Sequence, residues 1–257
     1  LSLDTTEKAR LDSSGRLLVG ATGDDNGTGA LMQVAATAGT AAFSANRYTN
    51  TADGPSRLYL FKSRATSIGG QTIVQDGDDL GEVVFQGSDG TDAAQAALIR
   101  SEVDGTPGDN DMPGSLSIHT TQDGNATPTE ALRVDSSQRL LVGVTASRSV
   151  NSAQGSLQIE GTGAEDSDMS IVRNQNNSGG PAICFGKSRN ASLGGNTVVQ
   201  DGDQLGAIVF TGNDGADLTS QGARIDGYVD GTPGTDDMPG QLRFSTTADG
   251  AAAATER

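Results

Sequence analysis

The chain repeats itself almost from end to end, and a repeat of this length sets the folding problem before any motif does, because whatever one copy forms the other must form too. VQDGDDLGEVVFQGSDGTD at Val74–Asp92 returns as VQDGDQLGAIVFTGNDGAD at Val199–Asp217, identical at 13 of 19 positions. LDSSGRLLVGAT at Leu11 returns as VDSSQRLLVGVT at Val134, and Lys62-Ser63-Arg64 returns as Lys187-Ser188-Arg189. VDGTPGDNDMPG at Val103 returns as VDGTPGTDDMPG at Val229. The three offsets are 123, 125 and 126 residues, a drift that single-residue changes in loops produce. Residues 1–10 therefore read as the end of a preceding module, 11–133 as the first complete module and 134–257 as the second. The whole is expected to be a section of a longer array.

Within each copy apolar residues alternate in twos, which places Leu17 and Val19, Met32 and Val34, and Leu116 and Ile118 on single strand faces. The second copy keeps the alternation at Leu140 and Val142, Leu157 and Ile159, and Leu242 and Phe244. Turn signals of Asp-Gly, Gly-Gly and Thr-Pro-Gly recur about every 8–12 residues, predicting roughly eight or nine short strands per module. The expected class is all-β, built of tandem β-rich modules. Thr72–Gln75 reads as a strand, Asp76-Gly77-Asp78 as its turn and Leu80–Gln86 as the return, while Thr91–Ala97 fits strand or helix. Differences between the copies are expected in the loops Thr22–Gly29 and Asn46–Pro55.

Composition limits what such modules can bury alone. There are 36 glycines, no tryptophan and 4% aromatic residues, and full burial of one large apolar side chain contributes only about 1.5–3 kcal/mol. A partner chain is the simplest further source of burial. The net charge of −16, from 33 acidic and 17 basic residues, repels phosphates and argues against nucleic-acid or anionic-membrane partners. No apolar run reaches the length of a membrane span. Cys184 stands alone, which excludes an intrachain disulfide and a four-thiolate metal site.

Several residues invite a chemical reading. Asp76, Asp78 and Asp79 resemble calcium ligands, yet Asp79 becomes Gln204 and no glutamate closes the loop. Asp109-Asn110-Asp111 keeps only Asp111, as Asp237. The shared acids Asp12/Asp135, Asp76/Asp201, Asp89/Asp214 and Asp104/Asp230 flank glycine or serine, so turns account for them before a glycosidase carboxylate pair does. Asp76, Asp78 and Asp89, like Asp201, Asp203 and Asp214, are expected to accept bonds from neighbouring backbone N–H groups. His119, replaced by Ser245, reads as an outward strand residue, and Cys184 in PAICFGKSR as a small half-buried hydrophobe opposite RLYLFKSR. The recurring pairs Arg16/Arg139, Lys62/Lys187 and Arg64/Arg189 suit ion pairs between chains or modules, or solvated surface charge. No catalytic, cofactor-binding or metal residue is assigned.

The motifs VDSSGR, FGKSR, VQDGDxLGxIVFxGxDG and VDGTPGxxDMPGxLxFSTTxDG together resemble the tandem modules of phage tail-fibre proteins. The resemblance covers almost the entire chain. It implies a long all-β homotrimer projecting from the virion, associated with other tail or baseplate proteins, and supporting host attachment through a receptor-binding end. The expected function is that of a non-enzymatic virion structural protein. A bacterial surface adhesin stalk meets the same physical demands and is the alternative, with a glycan depolymerase third.

Overall fold

The computed structural model describes residues 7–23 and 28–257, so part of the expected preceding module and part of the Thr22–Gly29 loop lie outside the described residues. Thirteen strands and no helix occur among the described residues. The chain divides between Ser136 and Ser137 into two compact units.

The first unit carries seven strands: β1 (Ala9–Leu11), β2 (Leu17–Val19), β3 (Met32–Val34), β4 (Asp79–Ser88), β5 (Ala93–Val103), β6 (Gly114–Thr120) and β7 (Thr129–Val134). β1 and β2 form a hairpin, and β3 adds parallel to β2 with Leu17 opposite Met32 and Val19 opposite Val34. The hairpin turn is held by Asp12, whose carboxylate accepts the N–H groups of Ser14 and Arg16, both at 2.9 Å. β4, β5, β6 and β7 follow as an antiparallel meander. Thr91–Ala97, ambiguous from sequence, is turn and strand: the β4–β5 connection, then the start of β5.

The second unit carries β8 (Leu140–Val142), β9 (Leu157–Ile159), β10 (Gln204–Gly212), β11 (Ser220–Val229), β12 (Gly240–Thr246) and β13 (Thr255–Glu256). β8 pairs parallel with β9, and β10 to β13 form an antiparallel meander. The registers match those of the first unit residue for residue. Val83 stands opposite Ile99 and Ile99 opposite Ile118, as Ile208 stands opposite Ile225 and Ile225 opposite Phe244.

Strands are fewer than the eight or nine per module that the turn spacing predicted. Thr72–Gln75, expected to be a strand, pairs with no ladder, and residues 36–78 and 161–203 contain none. Turn chemistry marks where a chain reverses; it does not supply a neighbouring strand to bond.

The buried apolar residues among those described are Leu18, Val74, Leu98, Val103, Leu141, Val199 and Val229. Six of them are three repeated positions: Leu18/Leu141, Val74/Val199 and Val103/Val229. These small cores sit where a turn closes on a strand end. Two glycines make room for one further packing contact. A Cβ at Gly81 would stand 2.6 Å from the Cβ of Leu60, and one at Gly206 would stand 2.5 Å from that of Phe185. The segments containing Leu60 and Phe185 therefore cross directly over the starts of β4 and β10. Gly206→Ala is expected to lower stability by about 1–3 kcal/mol through overpacking. Gly212→Ala, on the same strand with nothing within 4 Å of the added methyl, should leave the denaturation midpoint nearly unchanged in the same measurement.

Candidate functional site

The aspartates that turn chemistry explained from sequence prove to hold distant segments together. The N–H of Asp78 donates to the Gln75 carbonyl at 3.0 Å across a turn in which Gly77 takes φ 79°. The Asp78 carboxylate then accepts the Gln75 N–H at 2.9 Å, as a local turn requires. Its main task is longer in range: Arg64 Nε donates to Oδ2 at 2.7 Å and Arg64 Nη2 to Oδ1 at 2.8 Å, a two-pronged fork. Lys62 Nζ lies 3.5 Å from Oδ1. The backbone of the same turn docks on β5, with Gly77 N–H donating to the Val103 carbonyl and Val103 N–H to that of Asp78, both at 2.9 Å.

The second unit reproduces this joint. Arg189 forks onto Asp203 with both bonds at 2.7 Å, Gln200 N–H donates to the Asp203 carboxylate at 2.9 Å, and Val229 N–H donates to the Asp203 carbonyl at 2.8 Å. In both units the guanidinium fork, followed by the turn amide, holds the aspartate far below the usual carboxylate range. The expectation that Arg64 and Arg189 pair between chains or modules is thus corrected: each closes a joint inside its own unit. Arg16 likewise pairs with Asp12, Nε to Oδ2, at 2.7 Å.

Asp76 also departs from a local turn role. It accepts the N–H of Gly105, 29 residues away, at 2.8 Å, and Asp201 accepts that of Gly231 at 2.7 Å. Asp104 accepts the Ser136 N–H at 2.7 Å. Asp89 and Asp214 do hold local turns, each accepting two backbone N–H groups within three residues. The hairpin tip of the Thr-Pro-Gly loop closes with Gly108 and Asp111 exchanging backbone bonds at 2.9 and 3.2 Å, and Asn110 takes φ 55°. Among the described residues, no group of three or more His, Cys, Asp or Glu side chains is placed to hold a metal ion.

The larger surface feature is an inversion of the usual sheet polarity. On β6, Leu116 and Ile118 are exposed whereas Ser115 is buried and Ser117 is only 2% exposed. On β12, Leu242 is 68% and Phe244 55% exposed. Cross-strand register gathers exposed Val83, Ile99 and Ile118 with half-buried Leu132 into an apolar row in the first unit, and exposed Ile208 and Phe244 with half-buried Ile225 in the second. On this face of the second unit Phe185, Gly206, Ile208, Ile225, Gly227 and Leu242 line an apolar hollow.

Charged residues occupy the opposite face and are paired there. Arg100 donates to Glu82 at 2.6 Å and Arg133 forks onto Glu130 at 2.6 and 2.7 Å. His119 belongs to this face: its Nε2 lies 2.9 Å from Ser117 Oγ and 4.0 Å from Glu130 Oε2, with the side chain 12% exposed, so it is not the outward residue the sequence predicted. In the second unit the charge at the position of Arg100 is reversed. Asp226, 3% exposed, is bound by Arg224 at 2.5 and 2.7 Å and by Gln204 at 2.5 Å. Cys184 is exposed rather than half-buried.

The single chain presents 18916 Å² of surface, against about 10,500 Å² for a compact monomer of its 26.0 kDa mass. What these residues form is an uncovered apolar surface on well-braced sheets.

No protein-family model matches this chain, and neither does any curated protein. Solved structures match its fold. The carboxy-terminal domain of the bacteriophage T5 L-shaped tail fibre superposes with a TM-score of 0.67 at 19% identity, over 84% of this chain and 86% of that one. The same domain with its intra-molecular chaperone domain gives a TM-score of 0.67 at 15% identity, over 84% of this chain and 59% of that one. The chain therefore has the all-β fold of a phage tail-fibre domain.

Two outcomes follow from the joint. Arg189→Gln should lower the melting temperature by several degrees at pH 7. Because the folded carboxylate titrates below its unfolded value near about 4, the contribution is complete above that pH and is lost as pH falls toward the folded value. The gap from the parent should therefore narrow in melting curves taken below about pH 4. Asp76→Asn, which keeps the acceptor oxygen, should melt with the parent, and Asp76→Ala below it.

Proposed function

We propose that this chain is a structural section of a phage tail fibre, assembled as a homotrimer, that projects from the virion and supports a host-recognising end. The observation that carries the reading is the inverted sheet: charged side chains paired with one another within each unit, and apolar rows left open. A monomer in water does not leave Ile208, Phe210, Leu242 and Phe244 exposed on one face, since a contiguous apolar patch of that kind marks an interface. The tail-fibre fold and the motif resemblance support the particular assembly, and the number three follows from the resemblance. The role is mechanical. Stiffness comes from joints that recur in each unit, and the protein performs no enzymatic step.

Attachment to other tail or baseplate proteins and to a host surface receptor belongs to the same reading, in which the chain resides in the virion appendage. Light scattering of the purified chain should give three times 26.0 kDa, and Phe244→Asp, which sets a charge in the open row, should shift the particle toward smaller mass. A folded monomer for the parent chain sinks the assembly reading. Immunogold labelling of intact phage particles with antibody to this chain tests location: gold on the tail appendages is expected, and its absence from them favours an adhesin stalk. Release of sugar from host polysaccharide by the purified chain would instead make it a depolymerase.

A further inference from the structure

We infer that residues 56–61 and 181–186 are β-strands that form only between copies of this chain, each adding to the open edge of β4 or β10 in a sister copy. The inference rests on the self-association proposed above and goes further, to which backbone groups meet.

Both segments run without turn or bend, and among the described residues neither makes a backbone–backbone hydrogen bond. In the first, Leu58, Tyr59, Leu60 and Phe61 are consecutive and all exposed; in the second, Ile183 and Phe185 are exposed. Consecutive side chains of an extended segment point to opposite faces, so the first segment is apolar on both. That pattern belongs to a strand covered on both sides. Covering it takes its amides out of water as well, and buried N–H and C=O groups without partners are strongly disfavoured. Side chains that require burial therefore require a partner strand for the backbone they belong to.

The chain's own sheet is not that partner. Arg64 is forked onto Asp78 and Leu60 lies over the position of a Gly81 Cβ, which sets the first segment across the face of β4 and not beside its edge. Arg189, Asp203, Phe185 and Gly206 do the same in the second unit. Meanwhile β4 and β10 each stand at the edge of a sheet, with one side of their backbone unpaired. Each unit thus holds an unpaired segment and an open edge that cannot meet at home, the arrangement that strand addition from another copy completes. The surface open for this is ample. The chain exposes roughly 8,000 Å² more than a compact monomer of its mass, and obligate interfaces bury about 2,000–5,000 Å² or more. A second copy also supplies a segment of this kind for each of these two edges, which an unrelated partner does not.

Hydrogen–deuterium exchange of the full chain, read by mass spectrometry alongside light scattering, tests this without any substitution. In a particle of three-chain mass, at least half the amides of 56–61 and 181–186 should exchange a hundredfold or more slower than unpaired amides, ~10²-fold being well within the range that strand pairing gives. The amides of β4 and β10 that do not bond β5 or β11 should be slowed with them. Fast exchange of the segments in a particle of that mass overturns the strand assignment and leaves the trimer standing. Slow segments with fast outer amides on β4 and β10 overturn the choice of edge. A folded particle of single-chain mass overturns this inference together with the self-association on which it rests.

Discussion

The carboxylate of Asp78, and of Asp203 in the second unit, is the joint on which each unit depends. One residue binds the guanidinium of an incoming segment, closes its own turn through the Gln75 or Gln200 amide, and lends its backbone to the end of β5 or β11. A segment that shares no ladder with the sheet is thereby fixed at the point where β4 meets β5, and in the second unit where β10 meets β11. The strongest hydrogen bonds available to a protein, charged and two-pronged, are spent where no apolar core is large enough to do the fixing. Val74, Val103 and their counterparts complete the joint, but they are single valines and not a core in the usual sense.

Around that joint the two faces of each meander have exchanged roles. Polar and charged side chains find each other within the unit, and the exchange survives reversal of charge: Arg100 with Glu82 in one unit becomes Asp226 with Arg224 in the other. The exposed apolar residues of the rows stay uncovered within the unit. A face pattern of this kind makes the charged network the part that specifies the sheet's internal register, and the apolar rows the part that specifies what the sheet meets.

Much of this was legible in the sequence. Period-two alternation located β2, β3, β6, β8, β9 and β12, and the poverty of large apolar residues agrees with the small cores of the two units. The direction of the alternation was not legible, because Leu116 and Ile118 alternate with Ser115 and Ser117 in the same way whichever face is covered. His119 was assigned to the wrong side for that reason, and Cys184 to partial burial. The strand count came out too high, with Thr72–Gln75 among the strands expected, because turn spacing does not reveal whether a segment has a ladder partner in the same chain. The fork onto Asp78 was missed because turn chemistry already accounted for the aspartate. A signal was present: Arg64 precedes Asp78, and Arg189 precedes Asp203, by the same 14 residues, while the spacing elsewhere drifts. The same constancy holds for Arg64 with Asp76 and Arg189 with Asp201, which do not pair, so spacing alone could not choose the partner.

The division between a self-satisfied polar face and an unsatisfied apolar one has a kinetic consequence. A newly made chain can complete every charged contact alone and none of the contacts that its apolar rows require. Under the self-association proposed above, folding separates into a step independent of concentration and an encounter step that accelerates with it. Between the two the chain waits in the state from which aggregation begins, so dilute or slow production lengthens its most hazardous interval. Once the rows are covered the order reverses: escape requires all of them to be bared to water at once, and the lifetime of the finished particle is set by that barrier and not by the modest stability of any single unit.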